Sequence, residues 1–309
     1  MDKAIILFGP TSSGKTEASI LLAKELGTEI ISADSMQLYR LMDIGTGKPT
    51  PSQLSEVRHH LINAIWPHET WSAGRFAGEA SRIMGRLSGE GRVPVIVGGT
   101  GLYMKTLTRG LMEAPQPDDS LRAELLESEK DLFGLLEEMD PETARILAPS
   151  DTRRILRALE VQIKTRRAVS ELKRELTAPL PYDFIKVGLT RDRAELYTLI
   201  EERVDRMLAE GLVREVSNVL GQKRAPSRTA MQAIGYKEVE GFLEGRYPYE
   251  EAVRLIKRNT RRYAKRQLTW FKKEEGTIWV DVTGLRTAEG IYRRLKGALI
   301  KARRDLYQP

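Results

Sequence analysis

A glycine-rich stretch near the start of the chain restricts its possible folds more than any other feature. It fits the pattern G-x-x-x-x-G-K-[ST] and consists of Gly9, Pro10, Thr11, Ser12, Ser13, Gly14, Lys15 and Thr16. In such a loop, backbone N–H groups and a helix N-terminus cradle phosphates, while the lysine and the hydroxyl reach the outer phosphates and Mg²⁺. An apolar run at 4–8 precedes the loop, and helical spacing follows over 16–26. This order argues against an ordinary glycine turn, and predicts a phosphate-loop α/β fold that binds a polyphosphate or pyrophosphate.

Composition limits the class of protein. With 309 residues, of which 41% are hydrophobic and 30% charged, the chain can form one large domain or two smaller ones. It contains no cysteine, which excludes disulfides, thiolate metal sites and a cysteine nucleophile. Only five apolar residues separate the first three residues from Gly9, too few for a signal peptide or a membrane-spanning helix. We expect a cytoplasmic protein with no membrane segment, acting as a monomer.

Two further strand ends are expected beside the loop. The apolar run after Glu29 leads into Asp34, and open α/β sheets bind ligands at the carboxyl ends of their strands. A strand at 93–97 ends in two glycines and Thr100. Phosphate-loop ATPases usually carry a magnesium-binding Asp at such a strand end, and this chain does not. Asp34 is therefore the predicted neighbour of the loop, with Thr100 as a hydrogen-bonding group.

The middle of the chain reads as a helical insertion, because no strand-like run occurs between about 111 and 181. We assign 1–112 and 183–309 to the α/β domain, with its parallel sheet flanked by helices, and 113–182 to an inserted all-helical domain. Within the insertion we expect one amphipathic helix over 119–139 and another beginning at Asp151. Residues 151–174 carry eight Lys/Arg and three Asp/Glu, consistent with either an RNA-facing or a solvated helix face.

The C-terminal part of the chain is predicted to be helical and basic. A strand at 184–189 leads into a helix over 192–210 that carries Arg203. Residues 254–273 then contain nine Lys/Arg and no Asp/Glu, in a chain whose net charge is +7. Because a solvated helix face usually mixes both signs, this segment favours a surface for phosphates. A strand over 277–281 and a helix over 288–304 complete the expected order.

Several short motifs, in this order, resemble those of the tRNA dimethylallyltransferases, also called tRNA isopentenyltransferases. They are GPTSSGKT at 9–16, DSMQLY at 34–39, IGTGKPT at 44–50, HHLI at 59–62, VGGTGLY at 97–103, RRILRALEV at 153–161, AIGYKE at 233–238 and TRRYAKRQLTWF at 260–271. Arg153 stands where the family usually has Gln, so the contact made by that amide is not carried over. The adjacent His59 and His60 lack nearby metal ligands, and a structural or substrate-contacting role is expected for them. Because the chain lacks the cysteines of the zinc finger found in many eukaryotic members, it is similar to the bacterial form.

The resemblance implies a reaction and assigns roles to residues. A dimethylallyl group would pass from dimethylallyl diphosphate to the exocyclic amine of the adenosine 3′ of the tRNA anticodon, in a channel through the α/β domain, with release of pyrophosphate. Residues 9–16 would hold the diphosphate with Mg²⁺ on Thr16, Lys15 and Arg203 would assist there, and Asp34 would be the general base. The implied tRNA contacts are Asp34, Ser35, Met36, Gln37, Thr100, Arg122, Arg153, Arg154, Ile155, Leu156, Arg157, Arg258, Arg261, Arg262, Lys265 and Arg266.

Two other functions share parts of this pattern. A small-molecule kinase has the same loop and sheet, but it does not need a strongly basic helix, and it would transfer a phosphoryl group from a nucleotide. A non-catalytic switch that senses a nucleotide and binds nucleic acid would need the basic helix but would consume no prenyl donor.

Overall fold

The computed structural model describes residues 1–112, 114–128, 131–303 and 306. The chain forms two compact units. Unit 1 comprises Met1–Met104 and Pro181–Pro309, and unit 2 comprises Lys105–Leu180. The boundaries expected from the sequence lie at 113 and 182, within nine residues of these.

Unit 1 is built on one parallel sheet of six strands. The strands are β1 Asp2–Phe8, β2 Ile30–Ser32, β3 His59–His60, β4 Val95–Gly98, β5 Tyr182–Thr190 and β6 Ile278–Asp281. Their order across the sheet is β3-β2-β4-β1-β5-β6, and every pairing is parallel. A parallel sheet needs crossover connections that cover both of its faces, so its central strands are largely apolar: residues 4–8 of β1 and all of β4 are buried. The predicted α/β class is confirmed.

Helices cover this sheet and make up unit 2. In unit 1 they are α1 Lys15–Glu25, α2 Pro51–Glu56, α3 Ala73–Gly89, α10 Arg193–Ala209, α11 Leu212–Leu220, α12 Arg228–Met231, α13 Tyr236–Leu243, α14 Tyr249–Phe271 and α15 Ala288–Ala302. Those of unit 2 are α5 Asp119–Glu127, α6 Leu132–Met139, α7 Pro141–Ala144, α8 Thr152–Thr165 and α9 Val169–Leu176; α4, Gly101–Thr108, crosses the boundary between the units. None of the helices in the described ranges is long and apolar enough to cross a membrane. The expected end of the last helix, residue 304, lies outside the described residues.

The strand register places three predicted site segments at one edge of the sheet. Phe8 pairs with Gly98, and Ser32 pairs with Val97. The chain therefore leaves β1, β2 and β4 at nearly the same level, directly before the phosphate loop, Asp34 and Thr100. Because the strands are parallel, all three are carboxyl ends, as expected for a ligand site.

Unit 2 is all-helical and has its own core. The core is formed mainly by side chains from α6, α8 and α9, including Leu136, Leu159 and Leu172, all of which are buried. The single helix expected over 119–139 is wrong: α5 ends at Glu127, and α6 begins at Leu132. The Asp131 carboxylate accepts the Phe133 N–H at 3.0 Å, which caps the N-terminus of a new helix. The apolar spacing continues across the break, which is why it predicted one helix.

A charged cluster lies beside the short edge strand β3. The Glu29 carboxylate accepts hydrogen bonds from His60 at 2.6 Å, Arg86 at 2.5 Å and Arg92 at 3.1 Å. Burial alone would raise the pKa of Glu29, but the bonds from His60 and Arg86 hold it at about 2. The histidine pair thus has a structural position: His60 binds Glu29, and His59 bonds to the Val57 carbonyl. Within the described ranges, no cluster of three or more His, Cys, Asp or Glu side chains could hold a metal.

This cluster predicts a pH-dependent loss of stability. Because the pKa of Glu29 is lower in the folded chain than its ordinary 4.5, the ionised group stabilises the fold above that value and loses this effect as pH falls toward 2. Glu29→Gln is expected to lower the free energy of unfolding at pH 7 by about 1–3 kcal/mol, since the two arginines lose their charged acceptor. Urea unfolding at pH 7 and at pH 3 measures this, and the difference from wild type should shrink at the lower pH. Glu90→Gln, at a more exposed partner of the same arginines, is the matched control, and an equal effect of the two substitutions would contradict the prediction.

Candidate active site

The phosphate loop is shaped by a left-handed glycine at the start of α1. Gly14 has φ +85° and is the N-cap of α1, which begins at Lys15. A Cβ on Gly14 would lie 2.4 Å from the Ile291 side chain, so only glycine fits both the conformation and the space. The N–H groups of the first turn of α1 therefore remain at the loop. This arrangement favours an anion, because those donors have no partner within the helix.

Lys15 lies across the loop and is half-buried. Its Nζ donates to the Pro10 carbonyl at 2.7 Å and approaches Ser13 Oγ at 3.5 Å. Burial, followed by the positive charge of Arg203, lowers the pKa of Lys15 to about 7, although Asp34 and Glu17 act in the opposite direction. An anion bound at the loop would remove this penalty on the charged amine. The loop is thus built for a ligand that brings negative charge.

Arg203 supplies the second cation of the site. It projects from α10 and packs on Gly47, where a Cβ would lie 1.8 Å from Arg203 Nη2. Burial lowers the pKa of Arg203, and the charges of Asp34 and Glu17 oppose that shift. Lys15 and Arg203 are 188 residues apart in the sequence. They therefore converge beside Asp34 through the fold.

Asp34 lies two residues beyond β2, next to both cations. Its Oδ1 accepts the Met36 N–H at 2.9 Å, and the side chain is only half buried. Burial raises the pKa of Tyr103 and that of Tyr263 above the usual range, and the Asp34 carboxylate adds to both shifts. Asp34 thus has cations and phenols around it and one oxygen fixed by the backbone. Such a carboxylate is positioned to accept a proton from a ligand at the sheet edge.

Two other predicted contact residues near Asp34, Thr100 and Gln37, form hydrogen bonds with the surrounding loops. Thr100 Oγ1 accepts the Ser35 N–H at 3.0 Å, and the Thr100 N–H donates to the Ala33 carbonyl at 3.1 Å. The Gln37 amide accepts from Ser32 Oγ at 3.0 Å and donates to the Gly47 carbonyl at 3.2 Å. These bonds join the segment after β2 to the loops after β4 and around Gly47.

Two residues that the sequence analysis overlooked build the walls of the site. Gln267 of α14 is 6% exposed; its Oε1 accepts the Thr11 N–H at 2.9 Å and its Nε2 donates to the Gly99 carbonyl at 3.0 Å. Tyr263 lies one turn before it on the same helix. Both fall within the motif TRRYAKRQLTWF, on the side of the helix opposite to the arginines. The charge pattern singled out only the basic face of α14, and a polar residue among the apolar residues of the opposite face was the available signal for Gln267.

Glu215 is a third residue without a sequence prediction. Its carboxylate accepts the N–H groups of Asp43, Ile44 and Gly45 at 2.8, 2.8 and 2.9 Å and the Tyr236 hydroxyl at 2.5 Å. It therefore fastens the motif at 44–50 to the motif at 233–238. The same loop carries Gly47, against which Arg203 packs.

Some of the cations of the basic helix α14 are in ion pairs, which its composition does not indicate. Lys257 and Arg261 form ion pairs with Asp205 and Glu201 of α10 at 2.6 and 2.5 Å, and Arg254 pairs with Glu251 of its own helix. The charge pattern of one helix does not show which acidic residues lie on a neighbouring helix. Four cations form no ion pair within the described ranges, and they are Arg258, Arg262, Lys265 and Arg266. Arg261 is therefore already neutralised in this structure.

The predicted contacts in unit 2 divide into exposed and internal groups. Arg122 and Arg157 bind the fully buried Glu160 carboxylate at 3.0 and 2.5 Å. Although burial opposes it, the hydrogen bond from Arg157 is the largest effect that lowers the pKa of Glu160. Ile155 and Leu156 are 1% and 8% exposed, and Ile155 belongs to the core of unit 2, so these two side chains are buried where a contact with RNA was expected. The exposed members of the set are Arg153 and Arg154.

Comparisons with known proteins identify the family of this chain. A family model described as IPP transferase matches residues 37–274, and one described as isopentenyl transferase matches residues 2–68. A tRNA dimethylallyltransferase of Thermodesulfovibrio yellowstonii is 49% identical over 306 residues, covering 96% of this chain and 97% of the relative. One of Thermotoga maritima is 46% identical over 285 residues, covering 91% and 93%.

Solved structures give the same result. The tRNA isopentenylpyrophosphate transferase of Bacillus halodurans superposes with a TM-score of 0.71 at 36% identity and full coverage of both chains. A eukaryotic dimethylallyltransferase solved as it acts on tRNA superposes with a TM-score of 0.85 at 28% identity, covering all of this chain and 81% of its own. Sequence identity and extent of match together show that the chain belongs to the IPP transferase family, among the tRNA dimethylallyltransferases.

Proposed function

We propose that the chain transfers a dimethylallyl group from dimethylallyl diphosphate to the exocyclic amine of the adenosine directly 3′ of the tRNA anticodon, releasing pyrophosphate. The observation that carries this proposal is the position of Asp34. Its carboxylate lies beside the two cations of an anion-binding loop, at one end of a parallel sheet. One site thus offers a cradle for a diphosphate and a proton acceptor for an amine.

Departure of the diphosphate requires positive charge at the loop. As the donor's carbon–oxygen bond breaks, the electron pair stays with the pyrophosphate, and the charge that develops there is stabilised by Lys15, Arg203 and the N–H groups that begin α1. Lys15 and Arg203 are held in place before the donor binds, by the Pro10 carbonyl and by packing on Gly47 respectively. Prior positioning of this kind avoids reorganisation during the reaction.

The amine needs help because its lone pair is delocalised into the purine ring. As nitrogen bonds to carbon, Asp34 takes the proton that nitrogen loses, so that no charge builds up on the base. The bond from the Met36 N–H fixes one carboxylate oxygen, which leaves the other for the amine. An adenine must leave the stacked anticodon loop to reach this position.

Magnesium fits this site as a companion of the diphosphate. Hard cations take oxygen ligands, and Mg²⁺ commonly binds one or two protein oxygens together with substrate phosphates and waters. The Thr16 hydroxyl is such an oxygen. Since no described cluster of three His, Cys, Asp or Glu side chains exists, most ligands would come from the diphosphate and water. When bound, the ion would add positive charge at the leaving group.

Contacts with tRNA are proposed for exposed cations in each unit. In unit 1 they are Arg262, Lys265 and Arg266 of α14, together with the half-buried Arg258, and these four have no acidic partner among the described residues. In unit 2 they are Arg153 and Arg154. Since tRNA is the acceptor, we place the activity in the cytoplasm.

The salt dependence of tRNA binding tests the basic helix. Each neutralised RNA phosphate contributes a slope of about −0.7 to −0.9 in log K against log salt concentration. Arg258→Ala with Arg262→Ala should make that slope less steep by about 1.4–1.8. The control is Lys257→Ala, because Lys257 is already paired with Asp205. If the double variant keeps the wild-type slope, or changes it no more than the control does, this face does not bind RNA.

Product analysis tests the function itself. The protein is incubated with labelled dimethylallyl diphosphate and unmodified tRNA, and the tRNA is then digested to nucleosides. We expect one labelled nucleoside, a prenylated adenosine from the position 3′ of the anticodon, without added ATP. ATP-dependent phosphoryl transfer would instead identify a small-molecule kinase. Binding of RNA and nucleotide without consumption of the prenyl donor would identify a switch.

A further inference from the structure

The side chain of Gln267 connects the two halves of the site. It accepts from the Thr11 N–H in the phosphate loop and donates to the Gly99 carbonyl beyond β4, while only 6% of it is exposed. Thr11 and Gly99 are distant in sequence, and Thr11 presents its N–H to the amide whereas Gly99 presents its carbonyl. An N–H must meet the amide oxygen and a carbonyl must meet the amide NH₂, so the orientation of the amide is determined by its partners.

We propose that Gln267 is a positioning residue that sets the separation between the diphosphate and the base acceptor, a role that rests on the proposed function. Thr11 belongs to the loop that holds the donor. Gly99 precedes Thr100, which binds the Ser35 N–H at 3.0 Å next to Asp34. A change in the Gln267 amide is therefore transmitted to both reacting partners, without contact between Gln267 and either of them.

We call Gln267, with its bonds to Thr11 and Gly99, the clamp. The close approach at Gly99 leaves no free space around the amide of the clamp. A Cβ at Gly99 would lie 2.2 Å from Gln267 Nε2 and 3.7 Å from the Tyr263 hydroxyl oxygen. One turn further along α14, a Cβ at Gly101 would lie 2.4 Å from the Trp270 ring. The glycines of the segment after β4 thus let α14 pack directly on its backbone. Any larger side chain at Gly99 must push the amide away from Thr11.

The clamp also removes one donor from the phosphate cradle. With its hydrogen directed to Gln267, the Thr11 N–H is not available to a phosphate. The diphosphate then relies on the donors nearer the start of α1, together with Lys15. Gln267 accordingly fixes the position of the loop and does not share in binding the charge. Its loss should impair alignment more than affinity.

This distinction sets the expected kinetics. Misplacing reacting groups by about 1 Å can cost about 100-fold in rate. Gln267→Ala should lower kcat by about 10–100-fold, while the dissociation constant of tRNA changes by less than about twofold. Gln267→Glu keeps an oxygen for Thr11 but presents a second oxygen to the Gly99 carbonyl, and should fail to restore kcat. The control is Thr269→Ala, an exposed position two residues away on α14, which should leave kcat unchanged.

A double-mutant cycle separates positioning from a general loss of structure. Gly99→Ala displaces the amide, whereas in Gln267→Ala no amide is left to displace. Each single variant should lower kcat, and the double variant should resemble Gln267→Ala within about twofold, because coupled groups are not additive. Multiplied effects in the double variant would overturn the proposal, and so would a kcat within about threefold of wild type for Gln267→Ala. If wild type itself transfers no prenyl group, the proposed function fails and not the clamp alone.

Discussion

Replacing Asp34 by Asn should lower kcat and kcat/KM together by about 10²–10⁴-fold, the usual contribution of a positioned general base. Asn keeps the size of the side chain and one acceptor oxygen, so the bond from the Met36 N–H can persist. It cannot take the proton that the adenine amine loses. A loss in both constants marks an interaction made chiefly in the transition state.

Single-turnover transfer at saturating donor and tRNA measures this effect without product release. Asp34→Ala is the companion variant, because it also removes the acceptor for Met36 and tests how much the loop itself contributes. If Asp34 only holds the loop or orients magnesium through water, Asn should be far less harmful than Ala. Transfer by Asp34→Asn within about threefold of wild type would remove Asp34 from the role of general base, for which the expected loss is much larger.

Lys15→Ala should have an effect of similar size on the donor side. Removing one donor of charge stabilisation at a developing anion costs about 10²–10³-fold in kcat. Binding of tRNA should be unchanged within about twofold, because Lys15 lies on the phosphate loop with its amine directed to Pro10. The matched control is Lys24→Ala at the other end of α1, where the amine is exposed and paired with Glu56. Equal losses in the two variants would show that the substitution acts on α1 and not on the diphosphate.

The pH dependence of donor binding gives an independent check on Lys15. With a pKa of about 7 in the unliganded protein, Lys15 is largely neutral at pH 8. A bound diphosphate favours the charged amine and raises that pKa, so binding at pH 8 should take up protons, and more than at pH 6. Calorimetry in two buffers of different ionisation enthalpy detects this uptake. Lys15→Ala should take up fewer protons than wild type, and identical uptake would contradict the assignment.

Local patterns in the sequence predict the frame of the site well. The phosphate loop, the strand before it and the helix after it form one continuous stretch, so their chemistry and order are visible in the residues themselves. Asp34 and Thr100 follow apolar strands, and parallel strands place their carboxyl ends at one edge. The register of β1, β2 and β4 confirms that shared edge.

The sequence does not show the ion pairs and hydrogen bonds between residues that are distant along the chain. The pairs of Arg261 with Glu201 and of Lys257 with Asp205 depend on how α14 packs on α10, not on the composition of α14. The positioning role of the Gln267 amide likewise depends on its hydrogen bond with Thr11, which is 256 residues away in the sequence. The burial of Ile155 follows from the packing of unit 2, which a family motif does not specify.

One single-turnover experiment with a doubly labelled donor tests most directly whether the loop holds a leaving diphosphate while Asp34 accepts from adenine. The donor carries one label in its prenyl carbons and another in its phosphates, and it is mixed with unmodified tRNA without any nucleotide. The expected result is one prenyl label on adenosine for each labelled pyrophosphate released, with no phosphate label on the RNA. Phosphate label on the RNA, or prenyl transfer that requires ATP, would contradict this account.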